Sequence, residues 1–217
     1  MKKLVIFDLD GTLTDTLDSI EKSANLAIGD FGFAPIARDR YRYFVGNGAF
    51  ELIRQCLAYH GCEDREVLEK VYAHYQEVFA VHCMYHVKPY DGILQLLQAL
   101  REKQVKLAVN SNKPHPRTIR VVEDVFGKDF FDCIIGQSGE RERKPAPDGV
   151  FAILDALSAE KQDTIYIGDT CTDMQTGKNA GVFTVGALWG FRDRQELEAY
   201  HADVIIAHPM ELLDYLD

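Results

Sequence analysis

The chain has 217 residues, 47% hydrophobic and 27% charged, the balance of an ordinary globular protein long enough for one core domain and a modest insertion. Thirty-four acidic residues against 24 basic give a formal charge of −10, which argues against a nucleic-acid-binding surface and against attraction to anionic membranes. A local positive pocket for a small anion is still compatible with that balance.

The first predicted strand, residues 3–8, is the apolar run Leu4-Val5-Ile6-Phe7 behind Met1-Lys2-Lys3. Four apolar residues are too few for the core of a signal peptide, and no other segment approaches a membrane span. Residues 15–88 then offer helical patterns without a convincing strand. Helices are predicted at 17–28, 49–59 and 66–82, with breaks at Gly29-Asp30-Phe31-Gly32 and His60-Gly61-Cys62. After Pro89, a favourable residue for a first helical turn, Ile93, Leu94, Leu96, Leu97 and Leu100 are placed on one helical face. Strands near 105–110, 131–136, 164–168, 182–185 and 203–206 alternate with helices near 116–125, 148–157, 172–180 and 195–200, and a last helix is expected after Pro209.

Such alternation predicts an α/β fold, a Rossmann-like, mostly parallel sheet covered by helices. The expected organisation is a core of residues 1–14 and 89–217 interrupted by an inserted helical domain, 15–88. Cys56, Cys62, Cys83, Cys133 and Cys171 contain no Cys-x-x-Cys pair, and an odd number suits reduced thiols in a cytoplasmic protein.

Chemistry is concentrated where apolar runs end. Asp8 and Asp10 flank Leu9 just before Gly11-Thr12, and in an extended segment positions i and i+2 face the same side, so both carboxylates could meet in one pocket. Leu107-Ala108-Val109-Asn110 leads into Ser111-Asn112; Arg143-Lys144-Pro145 forms a third group. Ile165-Tyr166-Ile167-Gly168 leads into Asp169, with Asp173 behind it. Alone, Asp169 and Asp173 read as a helix N-cap and a first-turn acid, and Asn-Ser-Asn as a turn. In an open parallel sheet, however, ligands bind beyond the carboxyl ends of the strands, where all four groups are placed.

The order and spacing of these groups resemble the four motifs of the haloacid dehalogenase superfamily of aspartate-dependent phosphohydrolases. The resemblance spans essentially the whole chain. It implies that Asp8 attacks phosphorus to form an aspartyl-phosphate, while Asp10 protonates the leaving alcohol and later deprotonates the attacking water. A carboxylate approaching a phosphate meets like-charge repulsion, so a divalent cation is expected, and hard oxygen ligands suit Mg²⁺. By resemblance the ligands are the Asp8 side chain, the Asp10 backbone carbonyl and the Asp169 carboxylate, with Asp173 supporting a metal-bound water or Lys144. Lys144 would neutralise nucleophile and phosphate, Ser111 and Asn112 would hold phosphate oxygens, and Thr12 would bind phosphate through its hydroxyl or backbone. A threonine at position 12 resembles phosphatases more than phosphosugar mutases.

The helical insertion begins a few residues after Asp10 and is expected to act as a lid, a cap hinged near 14–16 and 87–91. Within it, Gly46-Asn47-Gly48 could offer backbone N–H groups to an anion, and Arg42 could bind a carboxylate; a glycine turn with a surface arginine is an equal alternative. This stretch, with Lys88-Pro89-Tyr90-Asp91-Gly92 and Trp189-Gly190-Phe191, is similar to phosphoglycolate phosphatases. The expected activity is hydrolysis of a small phosphorylated metabolite, 2-phosphoglycolate first, with a nucleotidase or pyrophosphatase next. A phosphosugar mutase, a haloacid dehalogenase and a phospho-aspartate regulator are more distant. A monomer or a homodimer suits the sequence equally. His74, His82 and His86 are expected to be solvated or at the core edge, and Tyr41, Tyr43, Tyr72, Tyr75 and Tyr85 to pack the insertion or its contact with the core.

Overall fold

The computed structural model describes residues 2–217. Two compact units are present, Met1–Asp15 with Pro89–Asp217, and Thr16–Lys88. In chain order, strands β1 (Leu4–Phe7) and β2 (Thr14–Asp15) precede four helices, α1 (Leu17–Gly29), α2 (Arg38–Phe44), α3 (Ala49–Tyr59) and α4 (Arg65–His82). Next come β3 (Lys88–Pro89), α5 (Ile93–Glu102), β4 (Lys106–Pro114), α6 (His115–Phe126), β5 (Cys133–Gln137) and α7 (Asp148–Leu157). The chain continues through β6 (Thr164–Gly168), α8 (Cys171–Ala180), β7 (Phe183–Ala187), α9 (Arg194–Ala199) and β8 (Val204–Ile206), and closes on a 3-10 turn, Pro209–Tyr215, where a regular helix is predicted.

Six parallel strands form the sheet of the first unit, in the order β5-β4-β1-β6-β7-β8. Helices cover both faces, so all four residues of β1 are fully buried and the strand reads as an unbroken apolar run. The connection from β1 goes to β4 and β5 on one side, and β6, β7 and β8 then extend the other. The order therefore reverses at β1, and the crevice beyond its carboxyl end is the expected ligand position. Register levels the three central strands there: Phe7 lies opposite Val109 of β4 and Ile167 of β6. Leu4, Ile6, Ala108 and Tyr166 of these strands pack with Val150 and Ile153 of α7 in one buried cluster.

Several expectations for this unit change. Pro89 belongs to β3, and α5 starts at Ile93 behind Gly92, whose left-handed φ of +86° suits glycine. On α5, Ile93, Leu96, Leu97 and Leu100 follow the i, i+3, i+4, i+7 stripe and are buried, whereas Leu94 falls off it and is 52% exposed. Strand β4 runs four residues beyond its predicted end at 110. Between Asn110↔Ile135 and Pro114↔Gln137 it advances four residues against two of β5, an irregularity that puts Ser111, Asn112 and Lys113 within the strand.

Apart from Lys88 of β3, the regular elements of the second unit are all helices. Asp64 caps α4 by accepting from the N–H groups of Glu66 and Val67, at 2.8 and 3.2 Å. Asn25 of α1 accepts from Ile36 N and Tyr41 OH, both at 2.8 Å, and donates to Ile36 O at 3.0 Å, tying the approach to α2 onto α1. Helix α2 has no counterpart in the sequence prediction, because seven residues with one buried side chain, Tyr41, show no period. His74 pairs with Asp30 at 2.7 Å and His86 with Asp18 at 3.3 Å. Tyr75 stacks on Phe79 and Tyr72 meets Phe50 edge-on, while the Tyr85 ring lies under Lys22 Nζ. Tyr43 departs from the packing expectation, being 64% exposed.

Candidate active site

Beyond the carboxyl ends of β1, β4 and β6 four carboxylates and two ammonium groups are gathered. Asp8, the residue after β1, remains tied to the sheet through its N–H, which donates to Ile167 O at 2.9 Å, and it is 6% exposed. β1 ends at Phe7 and the chain turns at Leu9, so Asp8 and Asp10 lie beyond the strand itself. The two carboxylates have different partners: Lys144 Nζ is 2.6 Å from Asp8 Oδ1, and Lys113 Nζ is 2.5 and 2.6 Å from the two oxygens of Asp10.

Lys144 also donates to Asp173 Oδ1 at 2.7 Å, so one buried ammonium bridges the ends of β1 and α8. Its backbone is held by Asn112, whose Oδ1 accepts from Lys144 N at 2.9 Å while Nδ2 donates to Lys144 O at 3.2 Å. Asn112 thus sets the loop that delivers the lysine, and Ser111 Oγ accepts from Lys113 N at 3.2 Å. Asp173 has a second task. Thr170 is the N-cap of α8, and Asp173 Oδ2 accepts from its N–H and hydroxyl at 3.1 and 2.6 Å, completing a capping box. The capping acid of the sequence reading is therefore real, with Thr170 rather than Asp169 as the cap.

Asp169 is fully buried between two other donors, Thr12 Oγ1 on Oδ1 at 2.9 Å and Phe191 N on Oδ2 at 2.8 Å. Thr12's hydroxyl is thus engaged with a carboxylate, and its carbonyl accepts from Trp189 Nε1 at 2.9 Å. Glycine is required alongside: a Cβ on Gly11, whose φ is +98°, would lie 2.3 Å from Asp169 Oδ2. Burial, reinforced by the charge of Asp173, pushes the Asp169 carboxyl up to about 7. Burial likewise raises Asp8 well above the ordinary carboxylate range, against the pull of Lys144. For Lys144 burial acts downward, but Asp173 and Asp8 outweigh it and the ammonium is held charged.

One oxygen each from Asp8, Asp169 and Asp173 lies within 4.8 Å of the others, and all three residues are buried. Three hard oxygen donors with one ammonium, which only Asp8 and Asp173 share, leave negative charge uncompensated, and that donor set fits a small divalent cation such as Mg²⁺. The Asp10 side chain stands outside this triad, on Lys113. Lys113 is absent from the candidates read from sequence; its signal, a lysine directly after Ser111-Asn112, is plain only once β4 is known to extend through it. Arg42, Gly46, Asn47 and Gly48 belong to the helical unit: Arg42 lies in the last turn of α2, and Gly48, at a φ of +84°, is the residue before α3.

A sheet reversing at β1, with an aspartate after the first strand and its lysine and acidic partners at the ends of neighbouring segments, is the arrangement of a haloacid dehalogenase-like hydrolase. A family model of that description matches residues 5–187, and the chain belongs to that family. Within the family it is phosphoglycolate phosphatase-like. It is 30% identical to the phosphoglycolate phosphatase of Aquifex aeolicus (strain VF5), across 99% of this chain and 97% of that protein. It is also 31% identical to the pyrophosphatase PpaX of Listeria monocytogenes serotype 4a (strain HCC23), across 96% of this chain and 94% of that one. A solved structure of a candidate phosphoglycolate phosphatase from Lactobacillus delbrueckii subsp. bulgaricus matches with a TM-score of 0.94 at 30% identity, covering 100% of this chain and 99% of that one. No helix among the described residues is long and apolar enough to cross a membrane.

Proposed function

We propose that this enzyme is a Mg²⁺-dependent phosphomonoester hydrolase that works through an aspartyl-phosphate on Asp8, with 2-phosphoglycolate as its substrate. The observation that carries the reading is the Lys144 ammonium, 2.6 Å from Asp8 and 2.7 Å from Asp173, beside a second aspartate, Asp10, on its own lysine. In the first half-reaction an Asp8 oxygen bonds to phosphorus, the bond to the leaving oxygen breaks, and Asp10 gives that oxygen a proton. In the second, water attacks phosphorus, its proton passes to Asp10, and the bond to Asp8 breaks. Mg²⁺ held by Asp8, Asp169 and the Asp10 carbonyl, with Asp173 adjoining, would supply positive charge against the phosphate oxygens. Lys144 adds a fixed positive charge on the nucleophile's side, and Ser111 with neighbouring N–H groups is assigned to phosphate oxygens.

The Thr16–Lys88 unit is assigned as the lid, and Arg42 with Gly46, Asn47 and Gly48 as the contacts for the rest of the substrate. The five free cysteines support a cytoplasmic enzyme. Pyrophosphate is the second reading, favoured by the likeness to PpaX.

The test is phosphate release from 2-phosphoglycolate, pyrophosphate, nucleoside monophosphates and sugar phosphates, with Mg²⁺ or a chelator. Expected are a Mg²⁺-dependent preference for 2-phosphoglycolate, loss of turnover in Asp8→Asn, and a KM raised in Arg42→Ala more for 2-phosphoglycolate than for an uncharged alcohol's phosphate. Substantial turnover by Asp8→Asn removes Asp8 as nucleophile. A preference for pyrophosphate keeps the mechanism and moves the substrate.

A further inference from the structure

Lys113 has no part in the chemistry described so far, yet its side chain is 4% exposed and its ammonium contacts both oxygens of Asp10, at 2.5 and 2.6 Å. A lysine kept so far from water is held for a partner, because an ammonium buried without one is strongly disfavoured. Its backbone is also fixed. Lys113 N donates to Ser111 Oγ at 3.2 Å, and Lys113 O accepts from Thr118 Oγ1 at 3.0 Å. Gly136 of β5 keeps that carbonyl accessible, since a Cβ there would stand 2.8 Å from Lys113 O.

The other lysine of the crevice is committed elsewhere, to Asp8 and Asp173. Asp10 lies beyond β1 with its backbone in an isolated bridge to Thr14, and contact of the ammonium with both oxygens sets the direction of the carboxylate. We infer that Lys113 is a positioning residue, which aims the Asp10 carboxyl at the leaving oxygen and then at the attacking water. The inference rests on the proposed phosphoryl transfer, in which the proton leaves Asp10 for the leaving oxygen as the P–O bond breaks and returns from water as the Asp8–phosphorus bond is cleaved.

A misaimed proton donor harms poor leaving groups selectively, and kcat/KM reports the reaction up to transfer onto Asp8. The experiment compares kcat/KM for 2-phosphoglycolate, or whichever alkyl phosphate the enzyme prefers, with that for p-nitrophenyl phosphate, whose phenolate departs without a proton. Wild type, Asp10→Asn, Lys113→Met and the double variant are measured. Lys113→Met is expected to lose about 10- to 100-fold on the alkyl ester and under about 3-fold on p-nitrophenyl phosphate, with the double variant no slower than Asp10→Asn. Equal losses on both esters, or a double variant in which the two losses multiply, would overturn the inference. Should Lys113→Met not fold, Lys113→Gln, whose shorter neutral amide cannot hold both Asp10 oxygens as the ammonium does, serves in its place with the same two criteria. The underlying reading fails separately: Asp10→Asn would then show no leaving-group selectivity, or Asp8→Asn would turn over.

Discussion

Asp169 makes the stability of the Mg²⁺-free protein depend on pH in an unusual direction. Its carboxyl is lifted from an ordinary 3.8 to about 7 in the folded state, by burial first and by Asp173 second. A group that binds its proton more tightly when folded stabilises the fold at low pH and loses that contribution as pH rises towards the folded value. The window is therefore about pH 4 to 7. A tenfold gain in proton affinity on folding is worth about 1.4 kcal/mol, so a gain of roughly a thousandfold sets a ceiling of about 4 kcal/mol, reduced by relaxation around the buried cluster. The raised Asp8 carboxyl acts in the same direction. Urea unfolding in chelator should accordingly show less stability at pH 8 than at pH 5. The Asp169→Asn variant, whose amide can accept from Phe191 N and donate to Thr12 Oγ1, should show a shallower slope. Mg²⁺ at about 100 times its dissociation constant should return about 2.7 kcal/mol at pH 8, where the carboxylates are ionised. Identical pH slopes for wild type and Asp169→Asn would refute the assignment of a proton to Asp169.

Two substitutions probe how the crevice is built. Gly11→Ala would place a methyl 2.3 Å from Asp169 Oδ2 at a φ of +98°, so a loss of about 1–3 kcal/mol in thermal unfolding is expected together with lower kcat. Wild-type values for both would mean that this turn yields freely. Asn112→Ala removes both hydrogen bonds to the Lys144 backbone, and about 1–3 kcal/mol of stability should go with them. Because the loss frees the lysine's loop rather than a substrate contact, kcat should fall more than KM rises; the opposite split in steady-state kinetics would make Asn112 a substrate ligand.

The sequence discloses which residues meet at the crevice more readily than which of them touch. Buried strands advertise themselves as unbroken apolar runs, and a parallel sheet forces their ends together, so Asp8, Ser111 and Asp169 can be placed from pattern alone. Pairings follow from finer geometry. Whether Lys113 or Lys144 meets Asp10 depends on the irregular advance of β4 against β5, which has no compositional mark. Helix α2 escapes for a related reason, since Asn25 on another helix, rather than any periodic stripe, secures its start.

That division bears on how the two aspartates can differ in role. Two carboxylates in one shared environment would be told apart chiefly by their mutual repulsion. Separate lysine partners remove the need for this. Asp8 sits beside an ammonium anchored on Asp173 and Asn112, while Asp10, 19% exposed at its side chain, sits on an ammonium anchored through β4. A nucleophile gains from a fixed line of attack, whereas a proton shuttle must reach the leaving oxygen and then water. In the proposed mechanism the partly exposed carboxylate on the separately anchored lysine would be the one to exchange protons, and the buried one to attack.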